Sequence, residues 1–326
     1  MDTSAVPYLR DQLLDRRARL ESVAARKLDT PDVTRLLGEI DAALGRMGAG
    51  SYGLCETCHE PIESDRLVAD PLTRFCLDHL TPSDQRALEQ DLALAARVQR
   101  ELLPKADVRL DGWDLAYHYE PAGPVSGDYC DVVPGPGSGE HYFLIGDVSG
   151  HGVAAAMLMS HLSALLRTLI AVKLPLAQIV ERASRVLCES TLPSHYATLV
   201  CGRAERGGQV ELCNAGHPPP LVVRRDRIES VAATGLPLGL FCTSQFASCA
   251  VHLEPHDVLL LYTDGLTDAV NPAGETFGAD RLHALARGRA GVDAKTIVAT
   301  CASELSAFRR GRVLADDVTV LALRRD

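Results

Sequence analysis

The 326-residue sequence lacks any uninterrupted apolar run of about 18 residues, the length that a membrane-spanning helix requires. Its start, MDTSAVPYLRDQLLDRR, also lacks the basic segment and apolar stretch of a secretory leader. Basic residues are fewer than acidic ones: the sequence has 33 Lys and Arg and 43 Asp and Glu, which gives a net charge of −10. These absences predict a cytoplasmic protein that binds neither membranes nor nucleic acid, and whose partner is a protein or a small molecule.

Cysteine is present, but its distribution does not indicate a disulfide framework. Ten cysteines are too dilute in a chain of this length for the class of small, disulfide-rich secreted domains. Three of them fall at metal-ligand spacing. The others sit mostly among apolar neighbours, where we expect reduced thiols that pack as small hydrophobic side chains. These seven are Cys130, Cys188, Cys201, Cys213, Cys242, Cys249 and Cys301.

Residues 1–50 predict a helical hairpin. Thr30 and Pro31 form an N-cap and first-turn pair, and Gly48 follows the last apolar position of the second helix. The hairpin is therefore expected to turn near Asp29. The apolar stripe of the second helix consists of Val33, Leu36, Leu37, Ile40, Leu44 and Met47.

Residues 51–80 contain two paired knuckles with the spacing C-x2-C-x17-C-x2-H, formed by Cys55, Cys58, Cys76 and His79. This spacing predicts a tetrahedral, structural Zn2+ site. Unliganded core cysteines are the alternative, and His59 is a less favoured fourth ligand.

Residues 81–104 predict a linker helix that begins at Pro82 and ends before Pro104. Leu88, Leu92, Ala95 and Leu102 recur near the 3.5-residue period, and Gln99 interrupts this stripe. The pattern is typical of a short coiled coil or a docking helix.

Residues 110–326 predict an α+β domain. From Trp113 onward, β-branched runs alternate with helical stretches near 153–172, 176–190 and 295–308. Because the strands come in neighbouring pairs and the helices in groups, we expect a layered sandwich with largely antiparallel sheets.

Four aspartates lie at strand ends or in glycine-containing turns: Asp128, Asp147, Asp264 and Asp316. Taken singly, each is more often a turn residue. Mg2+ and Mn2+ prefer carboxylate and carbonyl oxygens, and a two-ion centre needs several carboxylates from different strands. The four together therefore predict a catalytic two-metal site.

The same stretch resembles the SpoIIE and RsbU branch of the PPM-type (protein phosphatase 2C-like) serine/threonine phosphatases. The motifs occur in family order: VSGDYCD, GDVSGHGVAAAM, NAGHPPPL, GLPLG, YTDGLTDAVNPAGETFG and DDVTVL. The resemblance implies an α-β-β-α sandwich in which Asp147 bridges two Mn2+ or Mg2+ ions. It implies that Asp128 and the Val148 carbonyl complete one site, and that Asp264 and Asp316 hold the other. Asp131, Gly265 and Asp317 are supporting candidates.

The resemblance further implies direct in-line hydrolysis of a phosphoserine or phosphothreonine without a phosphoenzyme. The eukaryotic members use a phosphate-binding arginine near the first strand, but residues 117–126 hold no basic side chain except His118. His151 and His217 are candidates either for a general acid or for structural roles in their turns.

The stretch from Ile40 to Cys76 resembles the DksA/TraR zinc finger, with His79 where that family usually has a fourth cysteine. Full-length relatives insert a hairpin with an acidic tip into RNA polymerase. Asp29 and Asp32 flank the predicted turn, but the arms are short, so a sensory, docking or dimerising role is favoured.

Two classes of function follow. The first is a phosphatase that acts on an anti-sigma factor antagonist of the STAS type in a partner-switching pathway, as a homodimer through the 82–103 helix. The second is a non-catalytic scaffold, or a regulator that contacts RNA polymerase through the zinc finger. The complete aspartate set favours the enzyme.

Overall fold

The computed structural model describes residues 5–25, 31–80, 82–105, 110–137, 139–191 and 195–326. The chain divides into two compact units, 1–91 and 92–326. The division falls inside a helix, α4 (Pro82–Arg100), which occupies most of the predicted linker.

The first unit is built on two helices, α1 (Ala5–Ala25) and α2 (Pro31–Gly48). Leu9 and Leu13 of α1 share one buried cluster with Ile40 of α2 and with Cys55 and Cys76. The bounds of α2 follow the predicted cap and glycine signals. The predicted turn near Asp29 lies outside the described residues.

A small module follows the two helices. An antiparallel bridge joins Leu54 to Pro61, and a short helix, α3 (Ser64–Ala69), precedes a 3-10 turn at Leu77–His79. Ile62 and Leu67 of this module pack in the same buried cluster as residues of α1 and α2. The apolar stripe on α2 is thus covered partly by this module.

The second unit holds two five-stranded sheets, in which every pairing of named strands is antiparallel. One sheet has the order β1-β10-β9-β6-β7 and the other the order β2-β3-β4-β5-β8. The strands are β1 (Trp113–Glu120), β2 (Asp128–Pro134), β3 (Glu140–Val148), β4 (Ala197–Glu205), β5 (Gln209–Ala215), β6 (Leu221–Val223), β7 (Ile228–Ser230), β8 (Cys249–His252), β9 (Val258–Tyr262) and β10 (Val318–Arg325).

Helices cover both outer faces. On the β2–β5 side lie α5 (Val153–Ala171) and α6 (Leu176–Ser190). On the other side, α7 (Asp264–Asp268) begins just after β9, and α8 (Ala279–Ala286) and α9 (Ala294–Arg309) pack on the sheet. A third cluster, which includes Phe143 and Leu261, fills the space between the sheets. The predicted α+β sandwich is confirmed.

Among the described residues, α5 is the one helix long and apolar enough to span a membrane. Its buried face, which includes Met159, Leu162 and Leu166, instead packs in the core cluster with strand residues such as Leu144 and Leu199. We therefore assign α5 to the core of the sandwich.

The expectation of seven reduced thiols is wrong for two of them. Cys188 at the end of α6 forms a disulfide with Cys242, with their Cα atoms 5.4 Å apart. The two positions are 54 residues apart in sequence, so no local pattern indicated the pairing. The bond ties α6 to the loop in which Leu238 pairs with Ala197 at the start of β4.

Candidate metal centres

Asp128 and Asp147 are direct neighbours across the β2–β3 pair. Residues that face each other in an antiparallel pair have Cβ atoms about 4.5–5.5 Å apart, so the two carboxylates meet at one edge of the sheet. Asp128 is the first residue of β2, and Asp147 is the second-last of β3. Both aspartates therefore lie at the end of an apolar strand, next to a glycine-containing turn.

Asp264 and Asp316 come from the other sheet. Asp264 lies two residues after the end of β9, and Asp316 lies two residues before the start of β10. Thr263 and Thr319 join these strand ends, with the Thr263 N–H donating to the Thr319 carbonyl at 3.0 Å.

The hydroxyls of the same two threonines orient Asp128. Thr263 Oγ1 donates to Asp128 Oδ2 at 2.9 Å, and Thr319 Oγ1 donates to the same oxygen. The contacts tie the two sheets together at the aspartate edge. The sandwich thereby brings Asp128 and Asp147 of the β2–β3 pair towards Asp264 and Asp316, which lie beside the ends of the β9–β10 pair.

Two supporting candidates have clear structural roles. A Cβ at position 265 would lie 1.9 Å from the Asp317 carbonyl oxygen, so this close approach requires Gly265. The Asp317 carboxylate accepts hydrogen bonds from Ala122 N at 2.7 Å and Gly127 N at 2.8 Å. Asp317 therefore fastens the β1–β2 loop that leads into Asp128.

Burial and the neighbouring carboxylates raise the pKa values of all four aspartates. Burial raises the pKa of Asp147 to about 7, and the charges of Asp264 and Asp316 add to the effect. Burial, followed by the charge of Asp147, raises the pKa of Asp128 well above its ordinary value, against the lowering effect of the threonine hydrogen bonds. Burial also raises the pKa of Asp264 and of Asp316. Such a set of oxygen donors fits hard divalent cations, which would relieve the repulsion.

The carboxylates do not converge on a single point. In the described part of the chain, one group of ligand atoms lies mutually within 4.8 Å, and it is the Cys–His cluster, not the aspartates. A two-ion centre divides its ligands between ions about 3.5–4 Å apart, so a wider set is expected there. Val148 contributes to the same edge, since a Cβ at Gly127 would lie 3.0 Å from the Val148 carbonyl oxygen.

The structure does not bring Asp131 to this cluster. Its fully buried carboxylate accepts two hydrogen bonds from Arg167 of α5, at 2.7 and 2.8 Å. Tyr129 Oη and Val132 N also donate to it, each at 2.7 Å. Asp131 thus binds the helix layer to the sheet.

His217 is buried, and Thr198 Oγ1 lies 2.8 Å from its Nδ1. Burial lowers the pKa of His217 to about 3, so the ring is neutral near pH 7. Thr198 faces Asp147 across β3–β4, and its hydroxyl lies 3.4 Å from the Asp147 carbonyl oxygen. This arrangement favours the structural alternative for His217.

His151 is exposed in the turn before α5. Its charge lowers the pKa of Asp316, although burial of that carboxyl has the larger, opposite effect. His151 therefore lies near the aspartate edge and keeps a candidate role in the site.

Two residues near the site were not among the predicted ones. Asp268 lies one helical turn after Asp264 in α7, and its charge contributes to the raised pKa of Asp264. The i, i+4 spacing in TDGLTD was the available signal. Arg309 of α9 lines a cavity of about 20 Å³ with Asp316, and its Nη2 donates to Glu120 at the end of β1 at 2.9 Å. No local pattern pointed to Arg309.

The cluster of the first unit consists of Cys55, Cys58, Cys76 and His79. The Sγ atoms of Cys58 and Cys76 are 3.8 Å apart, and Cys76 Sγ lies 3.3 Å from His79 Nδ1. His59 is exposed and is not part of the cluster. The donor set has the composition of a closed, four-ligand zinc site.

The pKa values of two thiols in this cluster shift in opposite directions. Burial raises the pKa of Cys55, but backbone hydrogen bonds from Cys58, Cys76 and Thr57 outweigh it and bring the pKa to about 6. Burial and the neighbouring thiols raise the pKa of Cys76 to about 11. A bound cation would favour the thiolate form throughout, as structural zinc does.

Two family models match separate parts of the chain. The family model for Stage II sporulation protein E (SpoIIE) matches residues 137–326, and that for the prokaryotic dksA/traR C4-type zinc finger matches residues 50–78. His79 thus lies just beyond the second match, at the position that closes the cluster.

Two relatives each match more than two thirds of the chain. Protein IcfG of Synechocystis sp. is 29% identical over 269 residues, which cover 72% of this chain and 42% of IcfG. Phosphoserine phosphatase RsbU of Bacillus subtilis is 26% identical over 244 residues, which cover 74% of this chain and 72% of RsbU. This chain therefore spans less than half of the length of IcfG.

The SiaA-PP2C domain of Pseudomonas aeruginosa has the same fold, with a TM-score of 0.67 at 19% identity. The superposition covers 76% of this chain and 100% of that domain. The SpoIIE match extends over more than half of the sequence and includes three of the four aspartates. The chain belongs to the SpoIIE family of PPM-type protein serine/threonine phosphatases and carries a DksA/TraR-type zinc finger ahead of its phosphatase domain.

Proposed function

We propose that this chain hydrolyses phosphoserine or phosphothreonine on a protein substrate with the help of two Mn2+ or Mg2+ ions. The observation that carries the proposal is the meeting of Asp128 and Asp147 across β2–β3, at the edge where the other sheet delivers Asp264 and Asp316. The raised pKa values of all four carboxyls support a site built for cations.

The side chains have distinct tasks in this proposal. Asp147 would contact both ions, Asp128 and the Val148 carbonyl would complete one site, and Asp264 and Asp316 would hold the other. When bound, the ions would lower the pKa of water and offset the charge of the phosphate.

The surrounding residues keep these ligands in place. Thr263 and Thr319 fix the rotamer of Asp128, and Asp317 fixes the backbone ahead of it. His217, neutral and buried, holds Thr198 beside the Asp147 carbonyl. These roles require no titration of the histidine near neutral pH.

For the substrate, we propose a phosphorylated STAS-type anti-sigma factor antagonist in a partner-switching pathway in the cytoplasm. Support comes from the relative RsbU, whose name describes a phosphoserine phosphatase. We further propose that one structural Zn2+ closes the Cys–His cluster, and that α4 mediates a homodimer.

The test is a Mn2+-dependent release of phosphate from a phosphoserine STAS protein and from generic phosphoserine peptides of equal concentration. We expect turnover of both, with a higher kcat/KM on the folded STAS protein, and loss of both in EDTA. Turnover of the peptides alone would contradict the proposed substrate, and phosphate release that persists in EDTA would contradict the metal-dependent reaction.

A further inference from the structure

The disulfide of the phosphatase unit lies within reach of solvent. Cys242 is exposed in the loop of residues 236–246, which we call the disulfide loop, and Cys188 is partly buried in the last turn of α6. A thiolate from solution therefore meets the Cys242 side of the bond first. Disulfides are rare in a reducing cytoplasm, and those found there are usually catalytic or redox-sensing. Exposed disulfides are also the more readily reduced ones.

The bond holds a stretch of the disulfide loop that has few other contacts. At one end, the Gly239 N–H donates to Ser184 Oγ of α6 at 3.2 Å. At the other end, the Phe246 N–H donates to Glu181 Oε1 of α6 at 3.4 Å. Residues 240–243, between these contacts, are exposed. Because exposed segments with few contacts open at a low free-energy cost, the covalent bond is a main restraint on this loop.

The disulfide loop also packs beside the aspartate edge. Leu238 and Ala197 exchange two backbone hydrogen bonds, at 2.7 and 3.0 Å, in a bridge outside the named strands. Ala197 in turn faces Val148 across the β3–β4 pair. All three residues are buried in one cluster, which also contains Leu187, the neighbour of Cys188. The bond therefore secures a loop that shares its core with the residue whose carbonyl is a proposed metal ligand.

We propose that the Cys188–Cys242 disulfide is a redox switch of the phosphatase. The oxidised form holds the disulfide loop against α6 and keeps the Val148 backbone in place for the ions. Reduction by a cellular dithiol releases the loop and weakens metal binding. This inference adds a regulatory site to the proposed function and rests on its two-ion centre.

The switching step is a thiol–disulfide exchange. A thiolate of the dithiol attacks Cys242 Sγ, the bond between the two cysteines breaks, and Cys188 leaves as a thiolate that takes up a proton. The second thiol of the reductant then attacks the mixed disulfide, which leaves Cys242 as a thiol and the reductant as an internal disulfide. Two electrons and two protons thus pass from the dithiol to the cysteines. Exchange with an oxidised disulfide reagent reverses the step.

A permanent structural cross-link is the simpler explanation, because a disulfide restricts the unfolded chain whether or not it is ever reduced. A cross-link of this kind predicts that reduction lowers the melting temperature and leaves the Mn2+ affinity of the folded protein unchanged. A switch predicts a Mn2+ affinity that follows the redox state. Coupling between two sites in a protein typically changes an affinity by about 5-fold or more.

The experiment compares three forms of the full-length, zinc-loaded protein: oxidised, reduced with dithiothreitol, and reoxidised with oxidised glutathione. The reagents are removed before each measurement, and circular dichroism verifies folding. Alkylation with peptide mass mapping gives the state of both cysteines, and calorimetry gives Kd for Mn2+. We expect reduction to raise this Kd about 5-fold or more, and reoxidation to restore it.

Two variants separate this bond from the other thiols. The double variant Cys188→Ser, Cys242→Ser should bind Mn2+ like reduced wild type after either treatment. Cys249→Ser is the matched control, since it removes a partly buried thiol outside the pair, and it should keep the full response. If the double variant does not fold, reduced and reoxidised wild type carry the comparison.

Loop opening and activity give two further readouts. Cleavage by chymotrypsin after Phe241, which is 59% exposed in the disulfide loop, should be faster in the reduced protein without Mn2+. Phosphate release at subsaturating Mn2+ should fall on reduction and return towards the oxidised value at saturating Mn2+.

Several results would overturn this inference alone. They are free thiols at both positions after reoxidation, a bond that dithiothreitol does not reduce, unfolding on reduction, and equal Mn2+ affinity or equal cleavage rates in the two forms. Loss of the response in Cys249→Ser would assign it to another thiol and overturn the inference as well. Failure of the oxidised wild type to bind Mn2+ would overturn the proposed function and this inference with it.

Discussion

At the scale of residues, Asp128 and Asp131 lie three positions apart on β2 but have different surroundings. Successive strand side chains point to opposite faces, so Asp128 falls on the face of the intersheet space and Asp131 on the face of α5. Arg167 then neutralises Asp131, whereas Asp128 meets other carboxylates. Alternation alone could have separated the pair, but the partner Arg167, 36 residues away, could not be identified from sequence.

We expect Asp131→Asn to lower the free energy of unfolding by about 1–3 kcal/mol, because it removes hydrogen bonds to a charged group. The affinity for Mn2+ should stay near the wild-type value. The matched variant Asp128→Asn should do the reverse, with weaker Mn2+ binding and little loss of stability in EDTA. Denaturant melts and calorimetry measure both, and loss of Mn2+ binding in folded Asp131→Asn would contradict this assignment.

The pKa of Asp147 makes a prediction for the metal-free protein. Folding raises this pKa from 3.8 to about 7, so the folded state binds the proton more tightly than the unfolded state does. The contribution of this proton binding to the free energy of unfolding is present at low pH and is lost as the pH rises through about 7.

In EDTA, we therefore expect the wild-type protein to melt at a lower temperature at pH 8 than at pH 6. The difference should shrink in Asp147→Asn, which has no carboxyl to titrate at this position. Differential scanning calorimetry at the two pH values tests this. A pH dependence of the same size in both proteins would show that Asp147 is not its source.

Residue patterns alone predicted the four aspartates and the Cys–His ligands because each lies in a local motif. They did not predict Arg309, which reaches Glu120 from 189 residues away. Gln99 was interpreted as an interruption of the apolar stripe on α4. Hydrophobic periodicity assigns a polar side chain to the exposed face of a helix. It does not indicate a hydrogen bond to a distant backbone group, which here belongs to Ser126.

At the scale of elements, the long helices follow the sequence closely. The predicted stretches near 153–172, 176–190 and 295–308 correspond to α5, α6 and α9, because each carries an apolar face of several turns. The shorter β7, β8 and α8 were not predicted. β7 and β8 have three and four residues and are partly exposed, so neither period nor composition distinguishes them from loops.

The zinc module should depend on its metal, since few apolar residues other than the ligands hold it to α1 and α2. We expect Cys55→Ser to lose zinc and to unfold residues 51–80, while Cys249→Ser, which changes a thiol outside the cluster, retains both. Elemental analysis and thermal melting measure the outcome. One equivalent of zinc, retained by Cys55→Ser at full affinity, would refute the ligand set.

At the scale of the whole molecule, α4 leads from the first unit into the phosphatase unit. Leu94 and Val98 are 51% and 56% exposed on this helix, whereas Gln99 is committed to the phosphatase core. The partly buried Leu92 lies seven residues before Gln99, two turns away on the same side of the helix. An exposed apolar surface on a short helix suits a weak, reversible pairing of two copies.

We expect Leu94→Asp to weaken dimerisation and to lower phosphatase activity in parallel, because it places like charges opposite each other in the pair. Ala93→Asp is the control, since it adds the same charge at an exposed neighbouring position. Light scattering and turnover would be followed on one preparation over a concentration series. A dimeric Leu94→Asp protein, or a monomeric one with unchanged activity, would show that α4 only connects the two units and does not mediate the proposed dimer.

The most direct test of the two-ion phosphatase is the turnover of a phosphoserine protein by wild type and by Asp147→Asn across a Mn2+ titration. We expect wild-type turnover to rise from background to saturation with added Mn2+. The turnover of Asp147→Asn, verified as folded by circular dichroism, should stay lower by about 100-fold or more at every concentration, since the substitution removes a charged ligand of the proposed two-ion site. Wild-type turnover by the folded Asp147→Asn protein would contradict the account.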